Sequence, residues 1–233
     1  MLKFLSIFLY IVGFIYFILF GIFVIIFSLF FGHQNLFPLL PILTKIQLLL
    51  LGSRVRIKNK IPKEGQYIIM MNHTTFADVF YPIQVARGKY TAILASWNFK
   101  IPIWSRMLKS LKAIPVYRRN RSKAIESIKK AEHIIKSLGY HIVIFPEGTR
   151  TKNGKLQPFK KGGFHMAINT NTPIVPVVIK GGFRFKPKTR WYIKPTIIEI
   201  EVCDVINVDK YNTNNLDELI NKTHNIFKDK LHE

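Results

Sequence analysis

Acidic residues are scarce in this chain: 13 Asp and Glu stand against 35 Lys and Arg, and the formal net charge is +22. A surplus of that size attracts nucleic acid, anionic lipid headgroups or acidic protein partners. Cysteine is almost absent as well. The single Cys203 excludes an intrachain disulfide and fits a reducing compartment. Placed between Val202 and Asp204 at the end of an alternating run, it reads as a buried thiol and not as a nucleophile. Metal-ligand spacing is missing too, with no Cys pair, no His-Glu-x-x-His and no run of neighbouring His. Neither a metal nor a redox cofactor is called for.

Charge itself vanishes from one stretch. Residues 4–44 contain no Asp, Glu, Lys or Arg, and residues 4–31 are almost wholly Phe, Leu, Ile, Val, Tyr and Gly. As a helix, residues 4–31 would reach about 42 Å against a hydrocarbon core of about 30 Å, which is enough to span a bilayer. Absorbing the surplus by tilt alone would need about 45°, so the ends enter the headgroups or the segment bends near Gly13 or Gly21. A monotopic pair of helices is the other reading, because residues 46–51 add a second apolar stretch after Pro38 and Pro41. A cleaved signal peptide would have a shorter core and a small-residue cleavage site, and neither is found.

Lys3 alone precedes the apolar segment, whereas Lys45, Arg54, Arg56, Lys58, Lys60 and Lys63 follow it closely. The positive-inside bias puts the C-terminal body on the cytoplasmic side of the membrane. For a protein held at a bilayer, each basic residue near anionic lipid is worth about 1 kcal/mol. Anionic membrane lipid is therefore an expected partner. Nucleic acid is not, since no basic stretch interleaved with stacking aromatics forms a recognisable motif.

The expected division is residues 1–60 as membrane anchor and interfacial segment and residues 61–233 as one domain. Apolar runs rich in Ile and Val recur at residues 67–71, 91–95, 113–116, 141–145, 174–179 and 197–202. Bounded by Gly, Pro or Asn, they read as strands, several of them buried on both faces. Residues 122–138 carry Ala124, Ile125, Ile128, Ala131, Ile135 and Leu138 on one helical face with Gly139 as the stop, and a last helix begins near Asn215. The alternation predicts an α/β fold, with helices flanking a mixed, largely parallel sheet.

Two strings carry the chemistry. Asn72-His73-Thr74-Thr75-Phe76-Ala77-Asp78 follows one apolar run, and Phe145-Pro146-Glu147-Gly148-Thr149-Arg150 closes another. His73 and Asp78 would lie about 140° apart on a single helix, so they meet only across a turn. In that arrangement the carboxylate holds one ring nitrogen and leaves the other free as a base, the logic of a hydrolase triad without the Ser. Taken alone, the spacing also describes a solvated His and a helix N-terminal charge. Gly148 lets backbone N–H groups approach an anion, and Arg150 offers a planar fork for two phosphate oxygens. Glu147 would repel a phosphate unless it accepts a bond from the glycerol hydroxyl region or from a neighbouring Arg and fixes the fork. Together the strings point to a transferase acting on a phosphorylated alcohol.

In four blocks and their order, the chain resembles the 1-acyl-sn-glycerol-3-phosphate (lysophosphatidate) acyltransferases of the glycerolipid acyltransferase superfamily. The blocks are Asn72-His73 to Asp78; Ile114-Pro115-Val116-Tyr117-Arg118; Phe145 to Arg150; and Ile174-Val175-Pro176-Val177-Val178-Ile179. Phe159-Lys160-Lys161-Gly162-Gly163 resembles the segment that follows the third block, and the likeness covers roughly residues 65–182.

The resemblance implies that His73 and Asp78 are catalytic and that Arg118, Glu147, Gly148, Thr149 and Arg150 position the phosphate-bearing acceptor. It implies lysophosphatidate as acceptor and acyl-CoA or acyl carrier protein as donor; another lysophospholipid or glycerol 3-phosphate is the alternative acceptor. Two departures stand out. Lys112 occupies the position, six residues before Arg118, where relatives commonly have Gly. Ala95-Ser96-Trp97-Asn98 replaces a Lys-x-Glu-Leu stretch of many relatives, leaving Arg118 and Arg150 as the main phosphate candidates.

Overall fold

The computed structural model describes residues 1–117 and 120–232. In chain order its helices and strands are α1 (Leu2–Phe31), α2 (Leu40–Leu50), β1 (Ser53–Lys58), β2 (Ile68–Met71), α3 (Tyr81–Val85), β3 (Tyr90–Ala95), α4 (Pro102–Ser110) and β4 (Ile114–Val116). They continue with α5 (Arg121–Leu138), β5 (His141–Ile144), α6 (Gly162–Thr170), β6 (Ile174–Lys180), α7 (Gly182–Phe185), β7 (Thr196–Val202) and α8 (Leu216–His232). The strands form one sheet in the order β1-β7-β6-β2-β5-β3-β4. Every pairing is parallel except β6 with β7.

Strands β2, β5 and β6 are buried along nearly their whole length because both faces are covered. Their alternate residues feed two cores, as the two-residue period of a strand requires. Ile69, Met71, Val143, Val175 and Val177 pack toward Phe20, Val24, Leu40, Leu48 and Tyr81. Ile68, Met70, Ile142, Ile144 and Val178 pack toward Ala131, Ile135, Phe164, Leu219 and Phe227. The amphipathic pattern of α5 ends as its sequence dictates, with Gly139 in the left-handed region at φ 66° and its N–H bonded to Ile135 O.

The six runs read as strands are all strands, with ends shifted by a residue or so. Strand β1 has no counterpart among them. It pairs in parallel with β7 over Ser53 to Lys58, so the sheet starts ahead of residue 61. Residues 46–51 belong mainly to α2, which buries Leu40, Thr44, Gln47 and Leu48 and leaves Ile42, Ile46 and Leu49 exposed.

By length and composition α1 could cross a membrane, and it is the one described helix that could. It nevertheless lies along the body. Ser6 Oγ accepts from the backbone N–H of Ile193 at 2.9 Å, Gly13 O accepts from Gln47 Nε2 at 3.1 Å, and Tyr16 OH donates to Leu43 O at 3.0 Å. Phe17 packs on Phe80 and Trp104, and Phe20 and Val24 are buried. Gly13 permits the close crossing, since a Cβ there would stand 2.6 Å from Leu51 Cδ2. The opposite face exposes Phe4, Phe8, Ile11, Phe14, Leu19 and Phe30.

After α4 the chain turns through Lys112, whose φ of 57° is left-handed and whose N–H donates to Lys109 O at 3.0 Å. A glycine takes that conformation without the Cβ penalty that a lysine bears.

Candidate active site

Parallel strands place their following loops on one rim, and β2 lies directly between β5 and β6. The His73 segment, the Glu147 turn and the segment after Lys180 therefore meet at the C-terminal edge of the sheet, where ligands of open α/β sheets bind. The first joint is Asn72. Its side chain donates to Ile179 O at 2.9 Å and accepts from Ile179 N at 2.7 Å, extending the ladder past the end of β2.

His73 Nδ1 meets Asp78 Oδ2 at 2.7 Å across the turn. Asp78 sits in a 3-10 turn over Phe76–Val79 and is fully buried, while the His73 side chain keeps 18% exposure. The same Oδ2 accepts the backbone N–H of Thr74 at 2.6 Å and of Thr75 at 2.9 Å. Three donors thus converge on one oxygen and fix the carboxylate. With Nδ1 engaged, Nε2 has no hydrogen-bond partner among the described residues. The imidazole stacks on Phe145 with centroids 4.5 Å apart, which sets its plane.

Glu147 is turned inward. Its Oε1 accepts the backbone N–H of His73 at 2.6 Å and its Oε2 that of Gln157 at 2.9 Å; among the described residues no Arg is bonded to it. Burial pushes its carboxyl up to about 7; the two backbone donors pull it down, and the nearby Asp78 charge raises it. Thr151 N–H donates to His73 O at 2.9 Å, so the segment after the turn grips both sides of the His73 peptide.

Gly148 closes the turn at φ 70°, with its N–H bonded to Phe145 O at 2.9 Å. That N–H is spent on the turn, and the glycine serves the backbone conformation. Thr149 is exposed and Arg150 half-buried. Arg118 lies outside the described residues. A recess of about 200 Å³ beside this rim is lined by Asn72, Thr74, Glu147, Thr151, Lys180 and Gly181 with others, and neither His73 nor Arg150 borders it. Asn72 as a joint between β2 and β6 escaped the sequence reading, although a polar residue between an apolar run and the His was its signal.

Residues 52–180 match the family model described as Acyltransferase. The chain belongs to that family. The 1-acyl-sn-glycerol-3-phosphate acyltransferase of Borreliella burgdorferi is 31% identical over 181 residues, which are 76% of this chain and 72% of that protein. Those of the plants Cocos nucifera and Limnanthes douglasii are 30% and 26% identical over 79% and 76% of this chain. The chain spans only 60% and 63% of their lengths. The crystal structure of the 1-acyl-sn-glycerophosphate (LPA) acyltransferase PlsC from Thermotoga maritima shares the fold, with a TM-score of 0.85 at 22% identity, covering 98% of this chain and 94% of that one. The mixed, mostly parallel sheet flanked by helices is the fold of this acyltransferase.

Proposed function

We propose that this chain is a membrane-seated O-acyltransferase that esterifies the sn-2 hydroxyl of 1-acyl-sn-glycerol 3-phosphate and forms phosphatidate for phospholipid synthesis. The observation that carries the reading is the 2.7 Å contact between His73 Nδ1 and Asp78 Oδ2, on the same rim as the turn of Glu147, Gly148, Thr149 and Arg150. The acceptor hydroxyl gives its proton to His73 Nε2 as its oxygen attacks the thioester carbonyl. The tetrahedral intermediate collapses with cleavage of the carbon–sulfur bond, and the leaving thiolate takes the proton from the imidazolium. Asp78 faces the positive ring throughout. No acyl-enzyme forms, and a base so placed contributes about 10² to 10⁴ in rate.

Arg150 holds the acceptor phosphate, joined, as the resemblance implies, by Arg118. Gly148 and Thr149 shape the turn that presents Arg150, and Glu147 fixes that turn to the His73 peptide. The donor is acyl-CoA or acyl carrier protein, both of which carry negative charge to a basic body. Residues 1–60 are the membrane seat and residues 61–233 the acyltransferase domain, with β1 of the first segment completing the sheet of the second. Contacts from Ser6 to Val24 along the body support α1 as a helix lying in one leaflet, its outer apolar face in lipid. The basic run after α1 supports the cytoplasmic face.

The test is direct. Purified protein in detergent or lipid is given lysophosphatidate with each thioester donor, and the products are identified by mass. Phosphatidate is expected; its absence with both donors contradicts the reading.

A further inference from the structure

The segment that leaves β6 brings a third set of side chains to the same rim. Lys186 caps the end of helix α7, its N–H donating to Gly182 O at 3.1 Å. Its neighbour Phe185 is fully buried and stacks on Phe76 with centroids 6.3 Å apart. Phe76 opens the 3-10 turn that carries Asp78. Lys186 Nζ lies 5.9 Å from the centroid of the Phe76 ring. The lysine is thus keyed to the turn of the His73–Asp78 pair through two aromatic rings.

Arg190 ties the segment together through backbone carbonyls. Its Nη2 donates to Arg184 O at 2.6 Å and Phe185 O at 2.7 Å, and its Nε to Tyr192 O at 3.0 Å. Its Nε and Nη2 are occupied by the backbone. Lys186 and Arg150 are in the opposite condition. Both are half-buried, and neither has an ion pair or hydrogen-bond partner among the described residues. Burial lowers the Lys186 ammonium pKa, and the nearby charges of Arg150 and Arg190 lower it further. The two acids of this rim do not compensate them: Asp78 and Glu147 are buried and engaged with His73, Thr74, Thr75 and Gln157. Gathering like charges at a half-buried site raises the energy of the free protein unless an anion enters.

We propose that Lys186 joins Arg150 in a two-cation subsite for a substrate phosphate beside the His73–Asp78 pair, with Arg190 as the positioning residue that holds its loop. The proposal rests on the acyl-transfer reading above. The phosphate is that of the acceptor or one of coenzyme A; the chemistry is the same and the substrates can be varied separately. An ammonium at Lys186 supplies a point charge, and Arg150 supplies the planar fork.

Steady-state kinetics of the full chain in lipid, with wild type, Lys186→Gln and Lys186→Arg, test it. The glutamine variant keeps part of the aliphatic stem and removes the charge. The acceptors are lysophosphatidate and phosphate-free monoacylglycerol. The donors are acyl-CoA and the phosphate-free acyl thioester of N-acetylcysteamine.

Lys186→Gln is expected to raise the KM for lysophosphatidate about tenfold and to narrow the preference over monoacylglycerol by a similar factor, with Lys186→Arg recovering part. A rise confined to acyl-CoA and missing with the truncated thioester assigns the same subsite to the donor. Unchanged KM values for both phosphate substrates in Lys186→Gln, beside a wild type that makes phosphatidate, overturn the subsite and leave the acyl-transfer reading standing. A wild type that acylates lysophosphatidate with neither donor overturns that reading instead.

Discussion

The backbone N–H of His73 donates to Oε1 of Glu147 at 2.6 Å, while Oε2 of the same carboxylate accepts from Gln157 N–H at 2.9 Å. One buried acid thereby ties the strand end that carries His73 to the loop that carries Arg150. Replacing it with Gln leaves one oxygen and one NH₂ group for two N–H donors, so one donor loses its acceptor. Losing a hydrogen bond to a charged group costs about 1.5 to 3 kcal/mol. We predict a fall in kcat of roughly 10- to 100-fold for Glu147→Gln, measured under saturating lysophosphatidate and donor.

The pH dependence of stability has a definite sign. Burial raises the Glu147 carboxyl from its ordinary 4.5 to about 7, so the folded protein holds this proton to higher pH than the unfolded chain does. Its contribution to stability is full below about pH 4.5 and declines as the pH rises through about 7. Thermal melts at pH 5 and pH 8 should show wild type losing ground relative to Glu147→Gln. Parallel pH dependences in the two proteins would refute the shift.

Asp78→Asn keeps an acceptor for Thr74 and Thr75 but removes the charge that faces the imidazolium. Turnover is expected to drop roughly 10²-fold or more, with KM for lysophosphatidate little changed. A large rise in KM with intact kcat would mean that Asp78 serves binding and not the base.

Much of this was legible because the chemistry sits where the hydrophobic pattern changes. Strands β2, β5 and β6 announce themselves as unbroken apolar runs since both their faces are covered, and the five-residue offset of His73 and Asp78 already demanded a turn between them. Strand β1 was hidden by its charges. Arg54, Arg56 and Lys58 are exposed positions of an edge strand, and their run reads equally as a basic flank of the membrane segment. Glu147 reads as an acceptor for a substrate hydroxyl or a neighbouring Arg because its partners, the backbone N–H groups of His73 and Gln157, leave no trace in sequence. Lys186 depends on Phe185 meeting Phe76, a contact between distant parts of the chain that only the sheet order creates.

Lys112 bears a left-handed φ of 57° in a turn that glycine adopts freely. Lys112→Gly is predicted to raise stability by about 1 kcal/mol, the relief of Cβ strain exceeding the added entropy of the unfolded chain. Chemical denaturation midpoints of the two proteins check it.

The seating of α1 depends on Gly13, where a side chain meets Leu51 Cδ2 at 2.6 Å and Gln47 Nε2 at 3.4 Å. Gly13→Leu should prise α1 from α2 and lower stability by about 1 to 3 kcal/mol, seen as a lower melting temperature in micelles. Retention of wild-type melting would mean that α1 does not rest on the body.

The most direct measurement is the acylation rate of lysophosphatidate by His73→Ala, compared with wild type in the same lipid and with circular dichroism confirming equal folding. A base at Nε2 requires the rate to fall roughly 10²- to 10⁴-fold while the protein stays folded and membrane-bound. Near-wild-type turnover in folded His73→Ala would contradict the mechanism outright.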